Sequence, residues 1–288
     1  MSNRSRLDKA LVDRGLFPTR SAARGAIVRG DVLVDGTREL KPGRRVDSRA
    51  ALEALAPAPV GRGALKLQGA LEAFGMDPAG KAVLDVGAST GGFTETLLQR
   101  GAARVWALDV GRGQLHPDLD GDPRVVNLEG TDIRRLNERS LDAPVDLATV
   151  DVSFISLEKV LPSLATVLRR GTPVIALIKP QFEAGPEDVG GGGIVRRREV
   201  HLRVVESILE AMEDLAYRVE AVVPSPILDP DANLEFFVLA WYVGAPAGRK
   251  TPRRTEFSAM ARDAVELAWL QWQGWRDRWE KSNSDDEE

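Results

Sequence analysis

Short runs of apolar, often β-branched residues recur between residues 83 and 240, and segments with helical spacing separate them. The runs fall at 83–86, 104–109, 125–128, 146–150, 173–178, 217–223 and 233–240. Between them, 95–100, 157–168 and 198–215 predict helices, and a further helix is predicted to start near Lys66. This alternation predicts a mostly parallel sheet covered on both faces by helices, with the last two strands paired antiparallel at its edge.

One stretch carries the strongest local signal, Val83-Leu-Asp-Val-Gly-Ala-Ser-Thr-Gly-Gly-Phe-Thr94. It predicts a strand, a tight turn and the start of a helix, where free backbone N–H groups suit a polar ligand. Its glycines let that ligand approach the backbone closely. Asp109 ends the next strand, and an acidic residue there can accept both ribose hydroxyls of a nucleoside cofactor. The alternative is a doubly wound domain whose glycines only make a tight turn.

The glycine spacing indicates which cofactor to expect. It is G-x-x-x-G-G rather than the dinucleotide pattern G-x-G-x-x-G, and no P-loop G-K-[ST] follows. Asp85 would repel a pyrophosphate but could face a sulfonium or an amino group, which favours S-adenosylmethionine over NAD. Asp132 sits where a methyltransferase would bind the adenine amino group, although a helix N-cap is an equally good interpretation. The predicted cofactor contacts are Asp85, Gly87, Ala88, Ser89, Thr90, Gly91, Gly92, Phe93, Asp109, Val110, Asp132 and Asp151.

Four charged residues lie at predicted strand ends or at a helix start near this turn: Lys66, Asp151, Lys179 and Glu235. Asp151 precedes Val-Ser-Phe154 rather than the proline pair of enzymes that methylate base amines, and the chain has no cysteine for a covalent base adduct. A hydroxyl acceptor therefore remains, and a ribose 2′-hydroxyl is one such group. It is a weak acid that needs a base or a polarising cation, and a lysine can serve when burial or a neighbouring cation favours its neutral form. The alternative for each residue alone is an ordinary salt bridge.

The first sixty residues differ from the rest in charge. They contain 12 Lys and Arg against 7 Asp and Glu, a local balance of +5 in a chain of net charge −4. Segregated positive charge is the electrostatic signature of nucleic-acid binding. Spacing predicts helices over 6–14 and 20–29, the second capped by Thr19 and ended by Gly30, and then a hairpin that turns at Asp35-Gly36 and returns toward Val46.

This segment resembles an S4 RNA-binding domain through Arg6-Leu-Asp-Lys-Ala-Leu, Thr19-Arg-Ser-Ala-Ala-Arg and Gly30-Asp-Val-Leu-Val-Asp-Gly36. Arg6, Arg20, Arg24 and Arg29 are its predicted RNA contacts, and a charged cap that binds nothing is the alternative. Residues 49–62 carry Pro57 and Pro59 and predict a linker that opens with a short helical piece.

Residues 4–243 as a whole resemble the TlyA family, the haemolysin-A-type rRNA 2′-O-methyltransferases, which join an S4 domain to an FtsJ-like methyltransferase domain. The matching motifs are Asp85-Val-Gly-Ala-Ser-Thr-Gly-Gly-Phe-Thr94, Asp151-Val-Ser-Phe-Ile-Ser156, Ile178-Lys-Pro-Gln-Phe-Glu183 and Ser225-Pro-Ile227. The resemblance implies a Rossmann-like α/β fold, S-adenosylmethionine as cofactor, and a catalytic Lys-Asp-Lys-Glu tetrad at Lys66, Asp151, Lys179 and Glu235. It also implies methylation of cytidine ribose in 16S and, as a further candidate, 23S ribosomal RNA.

We therefore expect an S4 domain with a linker (1–60), an FtsJ-like domain (61–244), and a C-terminal extension (245–288). The chain departs from the family at 228–233, where a basic loop is expected, at Arg196-Arg-Arg198, and at Ala64, where glycine is usual. The first two departures are predicted to alter RNA contacts.

The extension past residue 244 carries a basic linker, a predicted helix over 257–279 and an acidic tail, 282–288, predicted to be disordered. Trp269, Trp272, Trp275 and Trp279 recur at helical spacing. This aromatic face packs on the protein body, binds RNA by stacking, or mediates oligomerisation.

The amino-acid composition argues against several other classes of protein. Zero cysteines and two histidines argue against a disulfide framework and against a metal site, and they fit a cytoplasmic protein. No apolar run reaches transmembrane length, so stable membrane association is not expected. Two other functions stay open: a non-catalytic S4 module that binds ribosomal RNA as an assembly factor, and a membrane-active haemolysin whose one amphipathic candidate is the Trp-rich helix.

Overall fold

A computed structural model describes residues 4–17, 20–29, 32–39, 41–54, 62–137, 139–190, 192–227, 233–244 and 254–284. The chain divides into two compact units, Met1–Arg62 with Gly274–Glu288, and Gly63–Gln273. The predicted Thr19 cap, the Gly30 stop, the side chain of Arg29, the departure at 228–232 and most of the two linkers lie outside the described residues.

The N-terminal unit combines two helices with short strands. Its elements are β1 (Arg4–Arg6), α1 (Leu7–Asp13), α2 (Arg20–Arg29), β2 (Val32–Val34), β3 (Thr37–Arg38), β4 (Arg45–Asp47) and β5 (Leu52–Ala54). β1 pairs antiparallel with β4, and β2 lies between β3 and β5. Leu7, Leu11, Ile27 and Val32 are fully buried in its core. Apolar residues three and four apart on α1 and α2 produce these buried faces.

The structure confirms the second predicted helix and corrects the strands. α2 covers 20–29 as predicted, and the turn at Asp35-Gly36 joins β2 to β3 with positive φ at both residues, 51° and 76°. The predicted return of the hairpin to Val46 is wrong, because β4 pairs with β1. The predicted helical start of the linker is also wrong, because 52–54 forms β5 beside β2. Three-residue strands carry little periodic signal, so their pairing partners decide their place.

The large unit is a doubly wound α/β domain. Its strands are β6 (Ala82–Val86), β7 (Arg104–Asp109), β8 (Val125–Glu129), β9 (Leu147–Val150), β10 (Pro173–Ile178), β11 (Tyr217–Pro224) and β12 (Phe236–Tyr242). Its helices are α3 (Arg62–Phe74), α4 (Gly92–Gln99), α5 (Pro117–Asp120), α6 (Leu157–Ala165), α7 (Pro180–Glu183), α8 (Arg198–Asp214) and, as far as Gln273, α9 (Arg254–Ser284). Short 3₁₀ turns lie at Ile133–Arg135 and Pro186–Asp188.

The strand order is β11-β12-β10-β9-β6-β7-β8. β10, β9, β6, β7 and β8 run parallel, whereas β12 runs antiparallel to both β10 and β11. The last two strands thus pair antiparallel at one edge of the sheet, as predicted, with β11 outermost and β12 one position inside. The chain leaves β6 toward β7 on one side and returns to β9 on the other, so the switch point where such sheets bind ligands lies between β6 and β9.

The C-terminal helix packs on the large unit along its first turns. Phe257, Ala261, Ala264, Val265 and Ala268 are buried in the same core as α8. The Trp269 ring lies 5.8 Å from the buried ring of His201, and Arg198 pairs with Glu266 at 2.6 Å. Of the three alternatives for the tryptophan face, packing on the protein body is confirmed for Trp269 and Trp272. The helix continues to Ser284, so the predicted disordered tail does not begin at 282.

Two boundaries differ from prediction in ways that affect the site. α3 begins at Arg62, so Lys66 lies in its second turn rather than at the helix start. β12 begins at Phe236 rather than at residue 233, so Glu235 immediately precedes the strand. α3 packs closely against the segment after β11, since a Cβ added at Gly69 would lie 2.7 Å from Cγ of Pro226.

Candidate active site

The glycine turn after β6 is shaped by contacts that only glycine allows. Gly87 has φ +87°, and a Cβ added there would lie 2.5 Å from the carbonyl oxygen of Asp151. Gly91 has φ +98° and caps α4, and a Cβ on Gly92 would lie 2.9 Å from the backbone nitrogen of Ala64. The turn is thus held close to the segment after β9 and to the start of α3. The predicted strand, turn and helix start are confirmed.

Asp85 does not face the open site, contrary to prediction. It is fully buried, and its two oxygens accept hydrogen bonds from the hydroxyls of Thr94, at 2.7 Å, and Thr149, at 2.9 Å. Burial raises the pKa of Asp85 to about 7, despite those hydrogen bonds. β6 lies in the middle of the sheet, and its last four residues are all buried, so Asp85 faces protein rather than an open site. Asp85 thus stabilises the glycine turn by linking β6 to α4 and β9 through these two hydrogen bonds.

This buried carboxyl predicts a pH dependence of stability. Its pKa is about 7 in the folded protein and about 3.9 in an unfolded chain, so the folded state holds the extra proton between those values. Stability should therefore fall as pH rises from about 4 to about 7, by at most about 1.4 kcal/mol per pH unit. Asp85→Asn cannot ionise, so urea unfolding at pH 5 and pH 8 should show less loss than the wild type. An equal pH dependence in both proteins would contradict this assignment.

Asp109 and Val110 lie at the end of β7, next to the glycine turn. The two oxygens of Asp109 accept hydrogen bonds from the backbone nitrogens of Ser89, at 2.9 Å, and Gly111, at 2.7 Å. This ties the carboxylate to the glycine turn, and its predicted contact with the ribose hydroxyls of a cofactor stays a prediction. Val110 beside it is 72% exposed. A carboxylate next to an open apolar surface suits a ribose with its attached purine.

Asp132 is the N-cap of a short 3₁₀ helix, which was one of its two predicted roles. Its Oδ1 accepts a hydrogen bond from the backbone nitrogen of Arg134 at 2.9 Å, at the start of the turn Ile133–Arg135. The Arg134 guanidinium also pairs with the carboxylate at 2.5 Å and holds the pKa of Asp132 at about 2. Both carboxylate oxygens thus already accept hydrogen bonds from Arg134. The predicted contact of Asp132 with an adenine amino group stays a prediction.

The four predicted catalytic residues form two lysine–carboxylate pairs. Lys66 Nζ lies 2.5 Å from Glu235 Oε2, and Lys179 Nζ lies 2.6 Å from Asp151 Oδ1. Lys179 also donates a hydrogen bond to Ser153 Oγ at 2.9 Å. All four charged side chains are at most 19% exposed, so these ion pairs are far better shielded from water than surface salt bridges.

Strand register brings the two pairs together. Ile178 of β10 is opposite Phe236 of β12, so Lys179 and Glu235 stand next to each other at the end of that ladder. Asp151 follows β9, the other neighbour of β10, and its backbone nitrogen donates to the Val86 carbonyl oxygen at 2.8 Å. The two pairs and the glycine turn therefore occupy one edge of the sheet.

Two residues of this site were missed from the sequence. Ser153 accepts the second contact of the Lys179 ammonium described above, and Phe154 is 91% exposed with a positive φ of 64°. The Phe154 ring lies 4.9 Å from that of Phe182, whose centre is 6.0 Å from Lys179 Nζ. Only the position of Phe154 in the motif after Asp151 hinted at a role. A non-glycine residue at positive φ with an exposed aromatic ring is a costly arrangement that is typical of functional sites.

The predicted RNA-binding arginines of the N-terminal unit differ in their surroundings. Arg20 and Arg6 both contact the buried carboxylate of Asp8, at 2.8 and 3.2 Å. Burial raises the pKa of Asp8, but the two arginines outweigh it and leave that pKa below its ordinary value. Both arginines keep about half of their side-chain surface exposed, and Arg24 is half-buried. Their contact with RNA stays a prediction.

Two of the positions at which the chain departs from the family pattern, Arg196-Arg-Arg198 and Ala64, lie among the described residues. Arg197 pairs with Asp188, and Arg198 pairs with Glu266 of α9, so two of these three arginines already hold carboxylates. Ala64 is buried, and its carbonyl oxygen accepts a hydrogen bond from the Thr96 hydroxyl at 2.9 Å, so alanine fits there.

Within the part of the chain that the structure describes, no helix combines the length and apolarity needed to cross a membrane. Likewise, the described residues contain no group of three or more histidine, cysteine, aspartate or glutamate side chains placed to hold a metal ion.

The chain matches known protein families and solved structures over most of its length. Residues 59–242 match the FtsJ-like methyltransferase family, and residues 5–50 match the S4 domain. The chain is 44% identical over 241 residues to the 16S/23S rRNA (cytidine-2′-O)-methyltransferase TlyA of Mycobacterium tuberculosis, covering 83% of this chain and 90% of that protein. It is 34% identical to Hemolysin A of Brachyspira hyodysenteriae, covering 80% of this chain and 97% of that protein. A solved hemolysin-type structure from Streptococcus thermophilus superposes with a TM-score of 0.69 at 34% identity, over 95% of this chain and 100% of that one.

Proposed function

Because this chain belongs to the FtsJ-like methyltransferase family and carries an S4 domain before it, we propose that it methylates the 2′-hydroxyl of a cytidine ribose in ribosomal RNA. The observation that carries the proposal is the pair of shielded lysine–carboxylate contacts at the sheet edge beside the glycine turn. Relatives at 44% identity that act on cytidine 2′-hydroxyls of 16S and 23S rRNA support this acceptor.

The proposed methyl donor is S-adenosylmethionine, and the edge of β6 and β7 fits it. Gly87 and Gly92 hold the turn close to the backbone of Asp151 and Ala64, where a Cβ at either position would clash. The tethered Asp109 carboxylate and the exposed Val110 offer the polar and apolar contacts that a nucleoside needs. When bound, this donor supplies an electrophilic methyl group on a sulfonium.

The residues of the chain then have separate tasks. We assign the base to Lys179, which is the more buried lysine, at 9% side-chain exposure against 17% for Lys66. In its neutral form it accepts the proton of the attacking 2′-hydroxyl, while Asp151 and Ser153 fix the position of its nitrogen. Lys66 supplies the positive charge that stabilises the developing alkoxide, and Glu235 orients it.

The exposed aromatic rings support a nucleic-acid substrate at this edge. Phe154 and Phe182 offer a stacking surface directly beside Lys179, and bases stack on aromatic side chains with little dependence on sequence. The positive charge of the N-terminal unit would add affinity for RNA phosphates.

The decisive experiment maps the product. The pure protein, ribosomal subunits and methyl-labelled S-adenosylmethionine should give label on rRNA, located at a cytidine by nuclease digestion and mass spectrometry. The modified nucleotide should resist alkaline cleavage, which needs a free 2′-hydroxyl. Replacing the target by 2′-deoxycytidine in a short rRNA should abolish labelling. Label on the base, or binding of rRNA without any labelling, would refute the proposal; the latter would favour a non-catalytic assembly factor.

A further inference from the structure

A row of three aromatic rings connects the C-terminal helix α9 to the start of β12. The Trp269 ring of α9 lies 5.8 Å from the ring of His201 on α8, at an interplanar angle of 68°. The His201 ring lies 6.0 Å from that of Phe236, the first residue of β12, at 60°. Both contacts have the edge-to-face geometry that aromatic rings favour. This aromatic row, Trp269, His201 and Phe236, therefore ends at the residue that follows Glu235.

Successive residues at the start of β12 face opposite sides of the sheet. Phe236 faces α8 and α9, whereas the Phe237 ring lies 6.0 Å from the ring of Phe93 on α4. By the same alternation Glu235 faces the α4 side, and there it pairs with Lys66 of α3. The aromatic row thus packs behind the Lys66–Glu235 pair, on the other face of the sheet.

The backbone of Glu235 depends on this packing. Its neighbours Leu234 and Phe236 are 7% and 0% exposed and lie in the same core as the first turns of α9. The backbone nitrogen of Ser225 donates to the Glu235 carbonyl oxygen at 2.8 Å, which fixes Glu235 relative to the neighbouring segment of the sheet. Its position perpendicular to the sheet depends instead on what fills the core beneath Leu234 and Phe236, because a close-packed interior transmits small displacements.

The aromatic row has one charge state near neutral pH. Burial lowers the pKa of His201 to about 4, because the imidazolium would lose its contact with water. His201 is only 1% exposed and is therefore neutral near pH 7. Its ring acts as an apolar spacer between Trp269 and Phe236, so a change at Trp269 is passed on by packing rather than by titration.

We propose that Trp269 is a positioning residue of the active site, which fixes the Lys66–Glu235 pair through the aromatic row. α9 begins at Arg254, after the residues that match the methyltransferase family. The C-terminal extension therefore supports the reaction from outside that domain. The inference rests on the proposed function in taking Lys66 and Glu235 as partners in catalysis.

The test compares two aromatic-to-alanine changes on the same core. Trp269→Ala removes the α9 end of the aromatic row. Tyr242→Ala is the matched control, because Tyr242 is also a half-buried aromatic residue on this core and contacts the buried ring of Tyr217, but it ends β12 at the opposite edge of the sheet. Trp269→Phe keeps a ring beside His201 and removes the indole nitrogen, which has no hydrogen-bond partner among the described residues.

Two quantities are measured in each variant, after thermal unfolding has shown that it is folded. Turnover with labelled S-adenosylmethionine and rRNA gives kcat and a separate KM for each substrate. NMR of protein labelled with ¹³C-lysine follows the Lys66 side chain, whose signal is identified by its loss in Lys66→Arg. The NMR signal needs no turnover, so it reports on the Lys66–Glu235 pair whether or not the protein methylates RNA.

Trp269→Ala should shift the Lys66 signal and lower kcat by about 10- to 100-fold with both KM values unchanged, since a misplacement of about 1 Å can cost about 10²-fold in rate. Tyr242→Ala should lose stability but keep kcat and the Lys66 signal, and Trp269→Phe should restore most of kcat. In a Glu235→Gln background, Trp269→Ala should cause little further loss of kcat, because the carboxylate through which it acts is gone.

An equal loss of kcat in Tyr242→Ala, or an unchanged Lys66 signal in folded Trp269→Ala, would overturn the proposal. If Trp269→Ala does not fold, Trp269→Leu, which keeps more apolar volume, is judged by the same two criteria. A shifted Lys66 signal in a protein that methylates nothing would sustain the positioning role and refute the proposed function, so the two failures are distinguishable.

Discussion

Lys179→Arg is expected to reduce methyl transfer by about 10²- to 10⁴-fold, the contribution typical of a general base. Arginine keeps the positive charge beside Asp151 but stays protonated at all accessible pH values, so it cannot accept the proton of a ribose hydroxyl. The 2.6 Å contact to Asp151 and the 2.9 Å contact to Ser153 give the side chain one defined position. Turnover with labelled S-adenosylmethionine and rRNA measures the effect, and calorimetry checks that cofactor affinity is retained.

Lys66→Arg provides the matched control. Lys66 pairs with Glu235 at 2.5 Å, and in the proposed mechanism it contributes charge rather than proton transfer. Arginine preserves that charge, so this variant should keep turnover well above that of Lys179→Arg. If Lys66→Arg is the inactive one and Lys179→Arg turns over, the two lysines have exchanged roles; if both remain active, neither is the base.

Gly87→Ala should impair cofactor binding, turnover and stability together. The residue has φ +87°, where side chains with a Cβ are strained, and the new methyl group would lie 2.5 Å from the Asp151 carbonyl oxygen. Relief of that clash must shift either the glycine turn or the segment that holds the partner of Lys179. We expect a loss of about 1–3 kcal/mol in the free energy of unfolding and at least about tenfold weaker cofactor binding, equivalent to about 1.4 kcal/mol.

Gly75→Ala separates strain from the clash. Gly75 also has a positive φ, +61°, but no atom lies within 4 Å of its added Cβ. This variant should lose about 1 kcal/mol of stability from backbone strain alone and keep both cofactor affinity and turnover. Urea unfolding, calorimetry with S-adenosylmethionine and turnover assays test both variants. Equal losses of cofactor affinity in the two would show that the contact with Asp151 is unimportant.

The sequence alone determined the elements that build the sheet and the edge on which the chemistry lies. Apolar runs of four to eight residues mark each parallel strand, and the direction of a parallel strand decides that whatever follows it faces the same edge. Asp109, Asp151 and Lys179 each follow such a run, so their common location was predictable without coordinates. The glycines at 87 and 91 were equally readable, because only a turn with positive φ needs them.

The tertiary structure decided the contacts between segments that are distant in the chain. Lys66 meets Glu235 because α3 packs against the end of β11 and β12 starts at Phe236, neither of which follows from local periodicity. The burial of Asp85 and the pairing of β4 with β1 likewise depend on segments that are distant in the chain. A short sequence pattern encodes which residues of one helix or strand share a face. Packing among elements that are distant in the chain decides which side chains come into contact, which are shielded from water and which remain available to a ligand.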